Sequence, residues 1–91
     1  MAQVSIEKKA VTGAISLCEY SIDCFRTSSK HLRQNYIEAG NTWKDSKYTQ
    51  LGSIVDQCEL ALHAPIHELE EAVEQLQQMY HILEEYEQLD L

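Results

Sequence analysis

Two long runs of mostly apolar residues, spaced three or four positions apart, constrain this chain most strongly. The first run is Val4, Lys8, Val11, Ile15, Cys18, Ile22, Phe25, Ser29, Leu32 and Tyr36. The second run is Tyr48, Leu51, Val55, Cys58, Leu62, Ile66, Leu69, Val73, Leu76, Tyr80 and Leu83. Such a repeat is typical of a helix that packs lengthwise against another helix. These two runs, called the seams below, predict an all-α chain.

The short segment between the seams predicts where the chain turns. Gly40 suits the left-handed residue that often ends a helix. Thr42 and Asp45 have the spacing of a capping box, with Thr42 as the N-cap and Asp45 at the third helical position. The sequence therefore predicts one helical-hairpin domain over residues 1–91. Its first helix spans 3–39, its turn 40–42, and its second, antiparallel helix 43–90.

Three details follow from these bounds. Trp43 becomes the first residue of the second helix, where its ring is predicted to plug the open end of the seam. Pro65 lies inside the second seam, so we expect a kink there rather than a domain boundary. The second helix exceeds the first by about ten residues at the usual rise, so its last turns are predicted to project as an unpaired acidic tail.

The charge distribution limits the kinds of partner. The net charge is −8, yet all seven basic residues precede residue 48, while residues 48–91 carry ten acids and no Lys or Arg. Such a surface repels nucleic acid and offers no basic attachment to anionic lipid. The chain has no apolar run of about 18 residues, so no membrane insertion is expected. A basic or apolar protein partner fits better.

The cysteines and the first residues suggest the compartment. The start of the chain has no uninterrupted apolar core, so no cleaved signal peptide is expected. Cys18 and Cys58 are seam residues, and a turn near residue 41 would set Cys58 opposite Cys24. A disulfide formed after export and free thiols both remain open. The simple expectation is a protein made in a reducing cytoplasm.

The sequence predicts no enzyme, no cofactor and no metal site. Phosphate loops, nucleophile elbows and zinc-protease motifs do not occur in it. His63, His67 and Glu71 would share one helix face and could bind Zn²⁺ weakly. Pro65 lies between the two histidines, however, and no fourth ligand is evident.

Near the C-terminus, two tyrosines precede an acid by four residues. They form the pairs Tyr80 with Glu84 and Tyr86 with Asp90. On a helix each pair would present a ring beside a carboxylate. Chance pairs are also common in a chain so rich in Glu, so the spacing alone does not decide their role.

Together these features resemble the Trp-x-Gly (WXG) family of small helical-hairpin proteins, similar to the early secreted antigens of type VII secretion. The shared features are the length, Trp43 at the turn and the C-terminal Tyr-x-x-x-acid. Here Asp45 follows Trp43 where the family has glycine, and Gly40 precedes it. The Trp-x-Asp form resembles divergent members from Gram-positive bacteria, some of which bind the N-terminal helical domain of LXG toxins and accompany them to the secretion machine.

The resemblance implies a function and two sets of residues. The implied function is a secreted substrate of type VII secretion or a targeting partner of a helical effector, exported without a cleaved signal peptide. The implied turn motif is Gly40, Thr42, Trp43 and Asp45, and the implied export signal is Tyr80, Glu84, Tyr86 and Asp90. The alternatives are a cytosolic coiled-coil adaptor unrelated to secretion and, third, an enzyme or metal carrier.

Apolar residues outside the seams predict a further partner. They are Leu17, Ile37, Ile54 and Leu60. One hairpin cannot cover them, and helix bundles usually solve this by adding two more helices. We therefore expect a homodimer, or a heterodimer with another helical protein such as an LXG-domain toxin, assembled as a four-helix bundle or helical complex.

Overall fold

The computed structural model of the chain describes residues 2–89, and the side chains of residues 4–89, as two long α-helices. Helix α1 spans Ala2–Ala39 and helix α2 spans Ser46–Leu89. No strand occurs among the described residues. The predicted all-α helical hairpin is confirmed. Its connection is longer than predicted, because residues 43–45 belong to it and α2 begins at Ser46.

The helices form two compact units. The connection unit is Ile22–His67, and the terminal unit combines the segment ending at Ser21 with the one beginning at Glu68. In the connection unit the two helical segments run antiparallel, since Ser29 contacts His63 while Arg33, later on α1, contacts Glu59, earlier on α2. In the terminal unit the two segments are joined by the contact of Lys8 with Glu87.

The seams form the contact face, as their spacing predicts. All ten residues of the first seam are buried or half-buried, and so are all residues of the second seam except Cys58. The exception coincides with an irregular step, because Cys58, Leu62 and Ile66 follow one another at intervals of four. Two successive steps of four rotate the apolar face around the helix, which places Cys58 at its edge.

The fully buried core is small. Among the described residues it consists of Val11, Ile22, Val55 and Ile66, which are 3–8% exposed, and the polar Ser29. Ser29 Oγ and His63 Nε2 lie 3.1 Å apart and share a hydrogen bond, so the buried hydroxyl is satisfied. A core of this size leaves much of the apolar surface of both helices uncovered.

The register between the helices differs from the predicted one. Away from the connection, the residue numbers of facing pairs add up to 92, as in Ser29 with His63 and Arg33 with Glu59, whereas a turn near residue 41 predicts 82. The sequence-based register is wrong partly because the connection holds six residues instead of three. Cys58 therefore faces about residue 34, not Cys24.

Cys58 and Cys24 are exposed free thiols, and Cys18 is a half-buried one.

The predicted acidic tail is also wrong. Helix α2 has 44 residues and α1 has 38, so the excess is smaller than predicted. In the terminal unit Glu87 pairs with Lys8, which shows that the last turns of α2 lie against α1. Helix α2 also continues through Pro65 without a break, and the kink stays a prediction.

Candidate functional site

The connection between the helices is organised by Asp45. Its Oδ1 accepts hydrogen bonds from the backbone N–H of Lys47 at 2.9 Å and of Tyr48 at 3.3 Å. These are the second and third residues of α2, so Asp45 is the N-cap. The predicted capping box, with Thr42 as the N-cap and Asp45 inside the helix, is wrong. Asp45 has the shorter acidic side chain that N-caps prefer.

Trp43 is tied to the same carboxylate. Its indole Nε1 donates to Asp45 Oδ1 at 2.7 Å, and its ring lies 6.0 Å from that of Tyr48 at a tilt of 51°. The Trp-x-Asp spacing therefore lets one carboxylate oxygen hold both the helix start and the indole. The ring remains 39% exposed. Trp43 thus covers Tyr48 but is not the buried plug that the sequence predicts.

Gly40 is needed for space and not for a left-handed turn. It has no positive φ, so the predicted left-handed helix end is wrong. Hydrogen bonds to preceding carbonyls continue past α1 instead, up to the N–H of Trp43, which donates to the carbonyl of Ala39 at 3.0 Å. A Cβ on Gly40 would overlap the Tyr48 hydroxyl and lie 2.7 Å from its Cζ.

Two stacked tyrosines close the hairpin beside the connection. The rings of Tyr36 and Tyr48 lie 4.3 Å apart and nearly parallel, at 9°. The Tyr48 hydroxyl donates to the Tyr36 carbonyl at 2.7 Å, and the Tyr36 hydroxyl donates to the Tyr48 carbonyl at 3.4 Å. Burial, and then the contact with Tyr36, raise the pKa of Tyr48. We call this arrangement the tyrosine clasp.

The clasp uses two glycines, a relation that the spacing of the seams does not predict. The Tyr48 hydroxyl lies over Gly40, and the Tyr36 hydroxyl lies over Gly52. The signal is present in the sequence as a repeat, because YIEAG and YTQLG both read Tyr-x-x-x-Gly. Each tyrosine lies over the glycine of the other repeat, so the pairing is visible only once the helices face each other.

Arg33 extends the polar contacts of the connection unit. It donates to Asp56 Oδ1 at 2.6 Å and to Glu59 Oε1, and its guanidinium lies 5.7 Å from the Tyr36 ring centre. The hydrogen bonds to Glu59 and Asp56 raise the pKa of Arg33 further above its usual range. Arg33 therefore compensates part of the acidic charge of α2 next to the clasp.

The predicted export-signal residues do not share one environment. Tyr80 is half-buried, and Lys8 Nζ lies 5.1 Å from its ring centre. Lys8 also donates to Glu87 at 3.3 Å, and the pKa of Lys8 is raised chiefly by this hydrogen bond. Glu84 lies 3.3 Å from His81 Nδ1. Tyr86 is exposed, and Asp90 lies outside the described residues.

The described residues contain neither a cluster of metal ligands nor a helix that could cross a membrane. Within residues 2–89 no group of three or more His, Cys, Asp or Glu side chains is placed to hold a metal ion. His63, one of the candidate ligands, bonds Ser29 instead. In the same part of the chain, neither helix carries an apolar stretch long enough to cross a membrane.

Large apolar side chains are exposed on both helices. They include the four that the sequence placed outside the seams, Leu17, Ile37, Ile54 and Leu60. The others among residues 4–89 are Ile6, Tyr20, Trp43, Met79, Ile82, Tyr86 and Leu89.

Comparison with protein-family models, with curated proteins and with solved structures found no match for this chain. The function is therefore inferred from the geometry and from the sequence pattern.

The cap at Asp45 leads to a first prediction. Asp45→Ala is expected to lower the free energy of unfolding by about 1 kcal/mol, because it removes the N-cap of α2. The change also releases the indole of Trp43, so the tryptophan emission should shift. Denaturant titration followed by circular dichroism and by fluorescence measures both effects.

The control is Asp45→Asn, which retains a capping oxygen and should stay within a few tenths of a kcal/mol of the wild type. Equal stability of Asp45→Ala and the wild type would contradict the assignment of the cap.

Proposed function

We propose that this chain is a small helical-hairpin protein of a type VII secretion system that works by pairing with another helical protein. Its role is that of an exported substrate or of a targeting partner for a helical effector. The pairing part of this proposal depends on one observation, the small core beneath a large exposed apolar surface. The secretion part depends on the resemblance to the Trp-x-Gly family.

The surface area supports a protein that needs a partner. The chain exposes 6947 Å² of accessible surface. A compact folded monomer of this mass is expected to expose about 5,400 Å². The excess of about 1,500 Å² is larger than the roughly 800 Å² that each partner contributes to a standard interface. The chain can therefore bury a full interface and still expose as much surface as a compact monomer.

The geometry of the connection supports the resemblance. Trp43 lies between two long helices, and its indole bonds the carboxylate that caps the second helix. The Asp of the Trp-x-Asp pattern thus has a structural role at the point where the Trp-x-Gly family has glycine. Capping of the second helix gives a physical reason for this departure from the family pattern.

Export from the native host tests the proposal. The tagged chain should accumulate in the culture medium at full length, and this accumulation should disappear in a strain that lacks the type VII machinery. A stoichiometric helical protein should co-purify from the cells and be identified by mass spectrometry. Retention in both strains together with a co-purifying partner would favour the adaptor alternative. Retention without any partner would reject the proposal altogether.

A further inference from the structure

One face of α2 in the terminal unit carries four exposed apolar side chains in a row. They are Met79, Ile82, Tyr86 and Leu89, which are 49–80% exposed. Their spacing of three, four and three places them on one side of the helix, as in the seam of a coiled coil. We call this set the docking stripe. It is separate from the seam that packs on α1, which uses Leu76, Tyr80 and Leu83.

Lys8 contacts the side of α2 that carries Tyr80 and Glu87, which is not the side of the docking stripe. It is a polar residue at a seam position of α1, and it contacts both Glu87 and the ring of Tyr80. A polar residue at a seam position typically fixes the register and rotation of the opposing helix. With Tyr80 held against α1, the next tyrosine, Tyr86, lies on the exposed side of α2.

The charges that α2 itself contributes around the docking stripe are acidic, and Lys8 of α1 is already paired with Glu87. From Glu68 to Leu89, α2 contains seven acids and neither Lys nor Arg. Glu85 is exposed and lies three residues after Ile82 and one before Tyr86, so its carboxylate lies at the edge of the stripe. Opposite charge at the flanks of a helical interface favours association, and like charge opposes it.

We propose that the docking stripe binds one amphipathic helix of a partner protein, whose apolar face lies along the stripe and whose flanks are rich in Lys and Arg. This inference rests on the proposed function, since it names the surface and the chemistry of the pairing. A helix is the occupant because its side chains repeat at the same spacing as the stripe. A second copy of the chain docked by the same stripe would set two acidic segments of α2 side by side, which disfavours self-pairing there.

The test uses the full-length chain and two synthetic helical probes. Both peptides are about four heptads long, with the same Leu and Ile positions, and they carry either Lys or Glu at the flanking positions. Binding is measured by fluorescence anisotropy of the labelled peptide at about 0.1 M salt, where exposed charges still act over about 10 Å. The Lys-flanked peptide is expected to bind, and its affinity should fall as salt is raised.

Matched variants locate the binding surface. The double change Ile82→Ala with Tyr86→Ala is expected to weaken binding of the Lys-flanked peptide by at least about tenfold. The control is Gln77→Ala with Gln88→Ala, which shortens two exposed side chains on the opposite side of the same helix and should change affinity by less than about twofold. Circular dichroism verifies that both variants remain helical. Equal effects of the two double changes would overturn the proposal.

Two further results would also overturn it. The first is equal affinity for the Glu-flanked peptide, because the flanking charge would then be irrelevant. The second is self-association of the wild-type chain that disappears in the Ile82→Ala, Tyr86→Ala variant, because the occupant would then be a second copy.

The native host distinguishes this inference from the proposed function. If the helical partner co-purifies with the Ile82→Ala, Tyr86→Ala variant at the wild-type yield, pairing stands and the assignment to the docking stripe is wrong. If the wild-type chain recovers no partner and stays in the cells, the proposed function itself fails.

Discussion

Gly52→Ala is expected to lower the stability of the hairpin, whereas the same replacement at Gly13 is expected to raise it. Both glycines lie inside helices. In an ordinary helix interior, alanine is favoured over glycine by about 1 kcal/mol. At Gly13 an added Cβ would have no neighbouring atom within 4 Å, so only this gain applies.

At Gly52 the added methyl group meets the tyrosine clasp. Its Cβ would overlap the Tyr36 hydroxyl and lie 3.0 Å from Cζ of that ring. The ring cannot move away cheaply, because it is stacked on Tyr48 and its hydroxyl donates to the backbone there. Overpacking typically costs about 1–3 kcal/mol, against a gain of about 1 kcal/mol in helix propensity. We therefore expect a net loss of up to about 2 kcal/mol, measured by denaturant titration of Gly52→Ala and Gly13→Ala at equal concentration.

A second substitution separates the clash from other causes. Tyr36→Phe removes the oxygen atom closest to the added methyl group, so Gly52→Ala should cost less in the Tyr36→Phe background than in the wild type. The difference is the coupling free energy of a double-mutant cycle, and contacting residues usually give at least about 0.5 kcal/mol. A Gly52→Ala protein as stable as Gly13→Ala would show that Tyr36 does not lie over Gly52.

The sequence predicted the helices and their contact face because both depend on local periodicity. A repeat of three and four places side chains on one face regardless of the partner helix. The first seam is therefore buried or half-buried along its whole length, from Val4 to Tyr36. Residues off the seam, such as Leu17 and Leu60, are exposed for the same reason.

The register and the end contacts depend on the connection, which the periodicity does not specify. Both Thr42 and Asp45 are residue types that cap helices, and the sequence does not show which one does so. The choice of Thr42 set the second helix three residues too early and contributed to the wrong facing of Cys58 and Cys24. The same choice predicted that the end of α2 has no contact with α1, whereas Glu87 pairs with Lys8.

The candidate site was predicted by residue type but not by arrangement. Trp43 and Asp45 were recognised as a motif, and the structure adds that the indole and the helix start share one carboxylate oxygen. Tyr80 and Tyr86 looked equivalent from their spacing to an acid. They differ in exposure because Tyr80 is a seam residue and Tyr86 is not. The contact of Lys8 with Tyr80, across 72 residues of chain, cannot be inferred from spacing within one helix.

Ile66→Ala is expected to cost the most stability of the changes considered, at about 2–4 kcal/mol. Ile66 is 5% exposed and is one of four buried apolar residues in the described part of the chain. Domains of this size are stable by roughly 5–13 kcal/mol, and a small core suggests the lower part of that range. The truncation should therefore remove a large share of the stability, and the thermal midpoint should fall accordingly.

Leu60→Ala is the matched control, because it shortens another large aliphatic side chain on the same helix. Leu60 is 73% exposed, so its truncation should change the free energy of unfolding by less than about 0.5 kcal/mol in the isolated chain. Both variants are measured by denaturant titration at two protein concentrations, since stabilisation by association rises with the logarithm of the partner concentration. If Ile66→Ala lowers the free energy of unfolding equally at both protein concentrations and Leu60→Ala does not lower it, the seam is the core of the hairpin. Equal losses at both positions would mean that Leu60 is buried too, and the assigned exposed face of the connection unit would be wrong.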